Sequence, residues 1–274
     1  MDWGKPMEAI AITDQEFAQF QAFVYREAGI QLSAAKKPLV AGRLMKRLKH
    51  YRLARYSDYF RLIMHGDDRA ELQMALDLLT TNETSFFREL KHFELLREQV
   101  LPHRLPGRTF RVWSAACSSG EEPYSLAMIL ADCLGHSPWD ILASDISSRV
   151  LAQARSGHYA LERAPQIPPR YLAAYCLKGV GSQTGTFLIE KTLRQRVQFQ
   201  SINLNTTLPR VGEFDVVFLR NVMIYFDTQT KRQVVDRILS VLRPGGYFFI
   251  GHSESLQGLT DQVTMVQPTV YRKP

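Results

Sequence analysis

The first third of the chain has apolar residues at helical spacing. Thr13 and Glu16 predict a capping box at the start of a helix. Two apolar sets mark helical faces: Phe17, Phe20 and Val24 in one, and Leu72, Leu76 and Leu79 in the other. Because no strand pattern interrupts this stretch, residues 1–80 are predicted to form a small all-helical domain.

From residue 81 onward, short apolar runs alternate with helical patterns. The strand-like runs are the one beginning at Val112, then Trp139 to Ser144, Asp215 to Leu219 and Tyr247 to Ile250. A helical stretch from about Thr230 to Leu242 separates the last two. This alternation predicts an α/β domain over residues 81–274, with a Rossmann-like parallel sheet covered on both faces.

Two segments of this domain carry other patterns. Glu83 to Val100 is predicted as a helix that bridges the domains and packs Phe87, Leu90 and Phe93. Residues 160–200 contain prolines and a glycine-rich stretch between apolar pieces, Thr186 to Glu190 and Val197 to Gln200. The second segment predicts an inserted antiparallel β-subdomain, although an inert loop fits the same residues.

The residues after the Val112 run indicate a ligand site. The run ends in small residues, which are followed by Gly120, Glu121, Glu122 and Pro123. This order predicts a strand, then a tight loop, then the start of a helix. A helix N-terminus normally attracts phosphate, but two glutamates would repel it and favour a cationic ligand such as S-adenosylmethionine. An equally open interpretation is that the two glutamates merely complement the helix dipole.

Polar residues follow the other predicted strands. Asp145 stands where a Rossmann-like fold places the acid that binds a ribose. Arg220 and Asn221 follow the third run, and His252 with Glu254 follow the fourth. Ligands of open α/β sheets bind at this edge of the sheet.

The excess positive charge is concentrated in one segment. The chain has a net charge of +7, and residues 36–55 contain eight Lys or Arg and no acid. The other 26 Lys and Arg are matched by 27 Asp and Glu. Val40, Leu44 and Leu48 recur every four residues, which predicts an amphipathic basic helix. Its basic face could bind a polyanionic partner or could simply be exposed to solvent.

Length and composition indicate a folded globular protein. A chain of 274 residues with 45% hydrophobic content supports a sizeable folded core. No apolar run approaches the length of a membrane span, and the N-terminal residues lack a signal peptide's apolar core, so a cytoplasmic protein without membrane insertion is expected. Cys117, Cys133 and Cys176 have no metal-ligand spacing, so no metal is expected.

Several long motifs resemble one family when they are taken in order. They are NETSFFRE from Asn82, WSAACSSGEEPYS, SDIS with ARSGHY, RNVMIYF and LRPGGYFFIGHSES. Together they resemble the bacterial chemotaxis receptor methyltransferases, the CheR family, over nearly the whole chain. The loop in WSAACSSGEEPYS lacks the glycine-rich GxGxG pattern of many methyltransferases. The resemblance implies methyl transfer from S-adenosylmethionine to glutamate side chains on the cytoplasmic domain of chemoreceptors.

The resemblance also implies site residues. The cofactor would be lined by Asn82, Thr84, Arg88, Glu122, Asp145, Asn203, Leu204, Asn221 and Val222. Arg88 and Tyr225 are the candidates for orienting the substrate carboxylate, because guanidinium and phenol groups donate without removing a proton; Tyr225 as a core residue stays open. Lys46 and Arg47 are expected to face the receptor, and Gly179, Gly181 and Gly185 to belong to a loop that binds a receptor's C-terminal peptide in some members.

Three alternatives remain at this point. A nicotinamide dehydrogenase would share the fold, but the paired glutamates disfavour a pyrophosphate. A nucleic-acid methyltransferase would explain the basic helix, yet RNVMIYF is not the loop of amino-methylating enzymes, so no nucleic-acid partner is expected. A non-catalytic receptor adaptor would retain the binding residues without turnover.

Overall fold

The computed structural model describes residues 10–66, 68–105 and 107–274. The first nine residues, on which the signal-peptide argument partly rests, lie outside this range. The chain divides into two compact units, residues 1–81 and 82–274. Among the described residues, no helix combines the length and apolar character needed to cross a bilayer.

The first unit is built from helices. They are α1 (Asp14–Ala28), α2 (Lys37–Tyr51), α3 (Tyr56–His65) and α4 (Arg69–Leu79). The predicted capping box is confirmed: Thr13 N donates to Glu16 Oε2 at 2.9 Å, and Glu16 N donates to Thr13 Oγ1 at 3.2 Å. The other Glu16 oxygen accepts from Ser57 N at 2.8 Å, so the same carboxylate also ties α1 to the start of α3.

The second unit contains a large mixed sheet and a small antiparallel sheet. Its strands are β1 (Phe110–Ala115), β2 (Trp139–Asp145), β3 (His158–Ala160), β4 (Cys176–Lys178), β5 (Thr186–Ile189), β6 (Val197–Ser201), β7 (Phe214–Leu219), β8 (Leu242–Ile250), β9 (Thr264–Gln267) and β10 (Val270–Arg272). Its helices are α5 (Leu90–Leu95), α6 (Glu121–Leu134), α7 (Ser148–Ser156), α8 (Pro169–Tyr175), α9 (Lys191–Arg194) and α10 (Thr228–Val241).

The large sheet has the order β6-β2-β1-β7-β8-β10-β9. Strands β6, β2, β1, β7 and β8 are parallel, as predicted for a Rossmann-like domain. Strand β10 is antiparallel to β8 and β9, two strands beyond the four that were predicted, so the sheet is mixed at this edge. The reason lies between β8 and β9, where the chain has no helix to carry a parallel crossover.

The inserted sheet has the order β3-β5-β4, with antiparallel pairing throughout. The assignment of Val197 to Gln200 to this hairpin set was wrong, because β6 pairs with β2 in the large sheet. Helix α7, the subdomain and α9 together form the connection from β2 to β6, which returns the chain in parallel to β2.

The predicted helix from Glu83 to Val100 was also wrong over its first half. Phe87 and Glu89 have φ values of 51° and 60°, which no right-handed helix contains, and α5 begins only at Leu90. A π-helical turn, Leu96–Val100, follows α5. Phe87 and Phe93 are buried as expected, but Leu90 is 48% exposed.

Candidate active site

The parallel strands place one crevice at the carboxyl edge of the large sheet. The chain runs outward from β1 through β2 to β6 on one side, and from β7 to β8 on the other. Strands β1 and β7 therefore flank the point where the strand order reverses, which is where open α/β sheets bind ligands. The loops after β1 and β7 supply opposite walls of this crevice.

The loop after β1 has an unusual backbone. Ala116, Ser118 and Gly120 have φ values of 127°, 48° and 96°. A Cβ atom on Gly120 would lie 2.8 Å from the Tyr159 hydroxyl and 2.8 Å from Ala154 Cβ, so only glycine fits. Such conformations persist where the surrounding structure enforces them, commonly at functional sites.

Asp145 fixes this loop from the end of β2. Its Oδ2 accepts from Ser118 N at 2.9 Å, and its Oδ1 accepts from Ser147 N at 2.9 Å. Asp145 therefore holds the loop after β1 and the start of the loop after β2 at the same edge of the sheet. The buried Ser147 hydroxyl beside it has no hydrogen-bond partner within the described part of the chain.

The two glutamates at the start of α6 have different environments. Glu121 is fully buried, accepts from Ser119 Oγ at 2.7 Å and forms an ion pair with Arg163. The expectation that both acids face a ligand was therefore wrong for Glu121. Glu122 accepts from Ser114 Oγ at 2.7 Å and Arg220 Nη1 at 3.0 Å, and burial raises its pKa although Arg220 opposes the shift.

Arg220 reaches across the crevice to Glu89, a residue for which the sequence analysis predicted no role. Its Nη2 donates to Glu89 Oε2 at 2.9 Å and to the Arg88 carbonyl at 2.5 Å. Burial opposes ionisation of Glu89, yet the charge and hydrogen bonds of Arg220 help to lower its pKa to about 2. Glu89, Arg220 and Glu122 thus form one buried ionic chain. The only sequence signal for Glu89 was its place at the end of NETSFFRE.

Asn221 is held in a left-handed conformation with φ of 57°. Its Nδ2 donates to Glu89 Oε1 at 3.2 Å, and its backbone N donates to Glu254 Oε2 at 2.9 Å. A Cβ atom on Gly251 would lie 2.5 Å from Asn221 Nδ2, so this close approach requires glycine. The loops after β7 and β8 are locked together, and Val222 beside them is half-buried.

The segment before α5 closes the site from another side. Ser118 Oγ donates to the Asn82 carbonyl at 2.8 Å, and Phe87 N donates to Ser125 Oγ at 3.0 Å. Thr84 and Arg88 between these anchors are half-buried. The Arg88 side chain donates to the Glu83 carbonyl at 3.1 Å, which leaves other guanidinium N–H groups for a ligand.

The remaining candidates lie after β6 and β7. Asn203 Oδ1 accepts from Asn205 N at 2.9 Å, and the Leu204 carbonyl accepts from Arg237 Nη1 at 3.0 Å. Ile202 N donates to the Asp145 carbonyl at 3.2 Å, so this turn adjoins the end of β2. Tyr225 ends a 3-10 turn and is half-buried, whereas its neighbour Phe226 is in the core.

Comparison with known proteins agrees with this geometry. A family model described as "CheR methyltransferase, SAM binding domain" matches residues 82–272, and one described as "CheR methyltransferase, all-alpha domain" matches residues 15–80. The chain belongs to the CheR methyltransferase family. The predicted fold class and the prediction of an S-adenosylmethionine-dependent methyltransferase are confirmed.

Curated relatives of this CheR-family chain match over almost its full length. "Chemotaxis protein methyltransferase" of Escherichia coli (strain K12) is 40% identical over 269 residues, which covers 96% of this chain and 92% of the relative. "Chemotaxis protein methyltransferase 2" of Pseudomonas aeruginosa is 42% identical over 263 residues, which covers 94% of this chain and 93% of the relative.

The predicted receptor-facing residues Lys46 and Arg47 of the CheR-family chain lie on α2 of the first unit. On α2, Val40, Leu44 and Leu48 are buried, which confirms the amphipathic helix. Lys46 is exposed, but Arg47 Nη2 forms an ion pair with Glu71 Oε2 at 2.5 Å and its side chain is only 21% exposed. Arg47 therefore has an internal partner for its charge.

The glycine loop joins β4 to β5 in the small sheet. Gly181 and Gly185 are exposed and have φ values of 59° and 86°, with open space where a Cβ atom would project. At Gly179 a Cβ atom would lie 2.0 Å from the Gln183 carbonyl oxygen, so a larger residue does not fit. Strand β4 is at the edge of its sheet and exposes Leu177.

Proposed function

We propose that this enzyme methylates glutamate side chains on the cytoplasmic domain of chemoreceptors. The observation that carries the proposal is the crevice at the ends of β1 and β7, and it is supported by Arg88 and Tyr225, which belong to two of the family's motifs. The relatives' role in chemotaxis supports a receptor as the substrate. A glutamate with an ordinary pKa of about 4.3 is already ionised at neutral pH, so no general base is needed.

The residues of the crevice fit S-adenosylmethionine. Asp145 is an acceptor at the end of β2, where a Rossmann-like fold binds the ribose, and the small residues 114–120 allow a ligand to approach the backbone. We propose that Asn82, Thr84, Asn203, Leu204, Asn221 and Val222 complete the lining, with Glu122 near the cationic part. When bound, S-adenosylmethionine supplies an electrophilic methyl group on a sulfonium, a reaction that requires no metal.

Arg88 and Tyr225 would hold the substrate carboxylate. Both can donate hydrogen bonds to its oxygens while leaving it ionised. Orienting the carboxylate and excluding water are the enzyme's main tasks, because near-attack positioning contributes about 7–11 kcal/mol in favourable cases. The chain Glu89–Arg220–Glu122 supports this arrangement, since Arg220 binds the Arg88 carbonyl at one end and Glu122 at the other.

We further propose two additional receptor contacts. Lys46 and its exposed neighbours on α2 would face the acidic receptor surface, with Arg47 contributing to the positive potential from its pair with Glu71. The edge strand β4 and the loop with Gly179, Gly181 and Gly185 would add a receptor's C-terminal peptide as an extra strand. Such a tether raises the local substrate concentration toward the millimolar range.

One assay tests the reaction and the tether together. The enzyme is incubated with methyl-labelled S-adenosylmethionine and a receptor cytoplasmic fragment, with and without the receptor's C-terminal tail. We expect base-labile methyl esters on glutamate, formed faster when the tail is present. Base-stable label, or label in added nucleic acid alone, would reject glutamate methylation; equal rates with and without the tail would reject only the tether.

Replacement of Asp145 by alanine should weaken the affinity for S-adenosylhomocysteine about 10–150-fold. This range corresponds to losing hydrogen bonds worth about 1.5–3 kcal/mol from ribose to a charged acceptor. Calorimetry measures the affinity. Asp140→Ala on the same strand is the control, because Asp140 pairs with Arg111 at 3.1 Å near the opposite end of β2. Wild-type affinity in Asp145→Ala would remove the ribose role.

Charge reversal on α2 tests the receptor-facing helix. Lys46→Glu with Lys49→Glu should raise the apparent KM for receptor and flatten its salt dependence, because exposed charges act mainly through screened long-range attraction. Both lysines are exposed, so the fold should tolerate the change. Lys191→Glu with Arg232→Glu, also exposed, changes the net charge equally elsewhere and should leave KM unchanged. An equal effect of both pairs would show only a net-charge effect.

A further inference from the structure

Glu89, His92 and His252 form a cluster beside the ionic chain. One ligand atom from each lies within 4.8 Å of the others. The separations from Glu89 Oε2 are 3.4 Å to His92 Nδ1 and 3.8 Å to His252 Nε2. A tetrahedral Zn²⁺ with ligand bonds of about 2.0–2.2 Å requires ligand atoms roughly 3.4 Å apart, so the cluster is close to the required spacing.

The hydrogen bonds of Thr269 determine which His92 nitrogen carries the proton. The Thr269 hydroxyl donates to the Pro268 carbonyl at 2.6 Å, so it must accept at its 2.8 Å contact with His92 Nε2. His92 is therefore protonated at Nε2 and has a lone pair on Nδ1. A second residue that orients an imidazole in this way is typical of histidine ligands to metals.

The lone pair on His92 Nδ1 has no hydrogen-bond partner, although the side chain is only 3% exposed. It points toward the Glu89 carboxylate, so two electron-rich atoms face each other at 3.4 Å. A metal cation would satisfy both atoms.

The surrounding charges permit a divalent cation. Arg220 already pairs with both Glu89 and Glu122, so its charge is matched before a metal arrives. Glu89 Oε2 accepts from Arg220 Nη2 at 2.9 Å and from His252 N at 3.3 Å, and His252 N shares its hydrogen with Glu89 Oε1, so a metal ion would compete only with this longer, shared contact. His252 is 52% exposed, so solvent can reach the cluster and water can complete the coordination.

We propose that Glu89 Oε2, His92 Nδ1 and His252 Nε2 bind a divalent transition-metal ion of the Zn²⁺ type. Two imidazoles and one carboxylate suit zinc better than the oxygen-preferring Mg²⁺ or Ca²⁺. No spacing pattern indicates this site, because His92 and His252 come from distant parts of the chain. Metal binding here is independent of the proposed glutamate specificity.

The direct test is titration of the metal-stripped full-length protein with ZnCl₂ in competition with a chromophoric chelator. We expect one bound Zn²⁺ per chain, with His252→Ala and His92→Phe each weakening the affinity about 100-fold. Thr269→Val should weaken it about 10–100-fold, the usual cost of losing a partner that orients a ligand. Co²⁺ substitution should give a tetrahedral visible spectrum in wild type and lose it in His252→Ala.

His158→Ala is the matched control. His158 Nε2 also contacts a threonine hydroxyl, Thr186 Oγ1 at 2.8 Å, but it is not part of the cluster. This variant should bind Zn²⁺ like wild type. Equal weakening in His158→Ala and His252→Ala, or no bound Zn²⁺ at about 100 μM, would overturn the site. A nitrogen-15 NMR spectrum that shows His92 as an imidazolium at neutral pH would also overturn it.

Discussion

Replacement of Arg220 by methionine is expected to lower the free energy of unfolding by about 3–5 kcal/mol, the cost of breaking a buried ion pair from one side. The Arg220 side chain is 2% exposed, and its partners Glu89 and Glu122 are 12% and 13% exposed. Without the guanidinium, two carboxylates remain buried with no cation between them. Chemical denaturation measures the loss.

Two further variants identify the cause of this loss. Arg97→Met removes an exposed pair with Glu98 and should cost no more than about 1 kcal/mol. Adding Glu89→Gln and Glu122→Gln to Arg220→Met should recover part of the stability, because the uncompensated charges are gone. A loss below 1 kcal/mol in Arg220→Met would show that the ionic chain is not needed for the fold.

Replacement of Arg88 by alanine is expected to lower kcat for receptor methylation about 100–1000-fold, the usual effect of removing one preorganised donor. The fold should survive, because Arg220 binds the backbone carbonyl of Arg88, which alanine retains, and the hydrogen bond of the Arg88 side chain to the Glu83 carbonyl is exposed. Single-turnover kinetics at saturating cofactor measures the effect.

Three controls accompany this experiment. Arg88→Lys keeps the charge but loses the planar fork, so it should retain part of the activity. Tyr225→Phe should slow transfer about tenfold without changing receptor affinity, because it removes one donated hydrogen bond. Arg97→Ala should have no effect. A kcat within threefold of wild type in Arg88→Ala would exclude the arginine from orienting the substrate.

Local patterns predicted the elements whose signals lie within a few residues. The capping box at Thr13, the buried face of α2 and the strands before Asp145 and Arg220 all depend on short-range spacing. The left-handed residues Phe87 and Glu89 could not be predicted in this way. Neither is a glycine, and the contacts that enforce their conformations come from distant parts of the chain.

Ordered motifs and periodicity were enough to predict the family, the helical first domain and the strand ends where the polar residues collect, because these features depend on local patterns. The partners of the charged residues depend on contacts between distant parts of the chain and became known only from the fold. The tertiary structure paired Glu121 with Arg163, Glu122 with Arg220 and Arg47 with Glu71, so acids and bases that look available in the sequence are matched in the fold. It also brought His252 to Glu89 and His92, since only the sheet order places the loop after β8 beside α5.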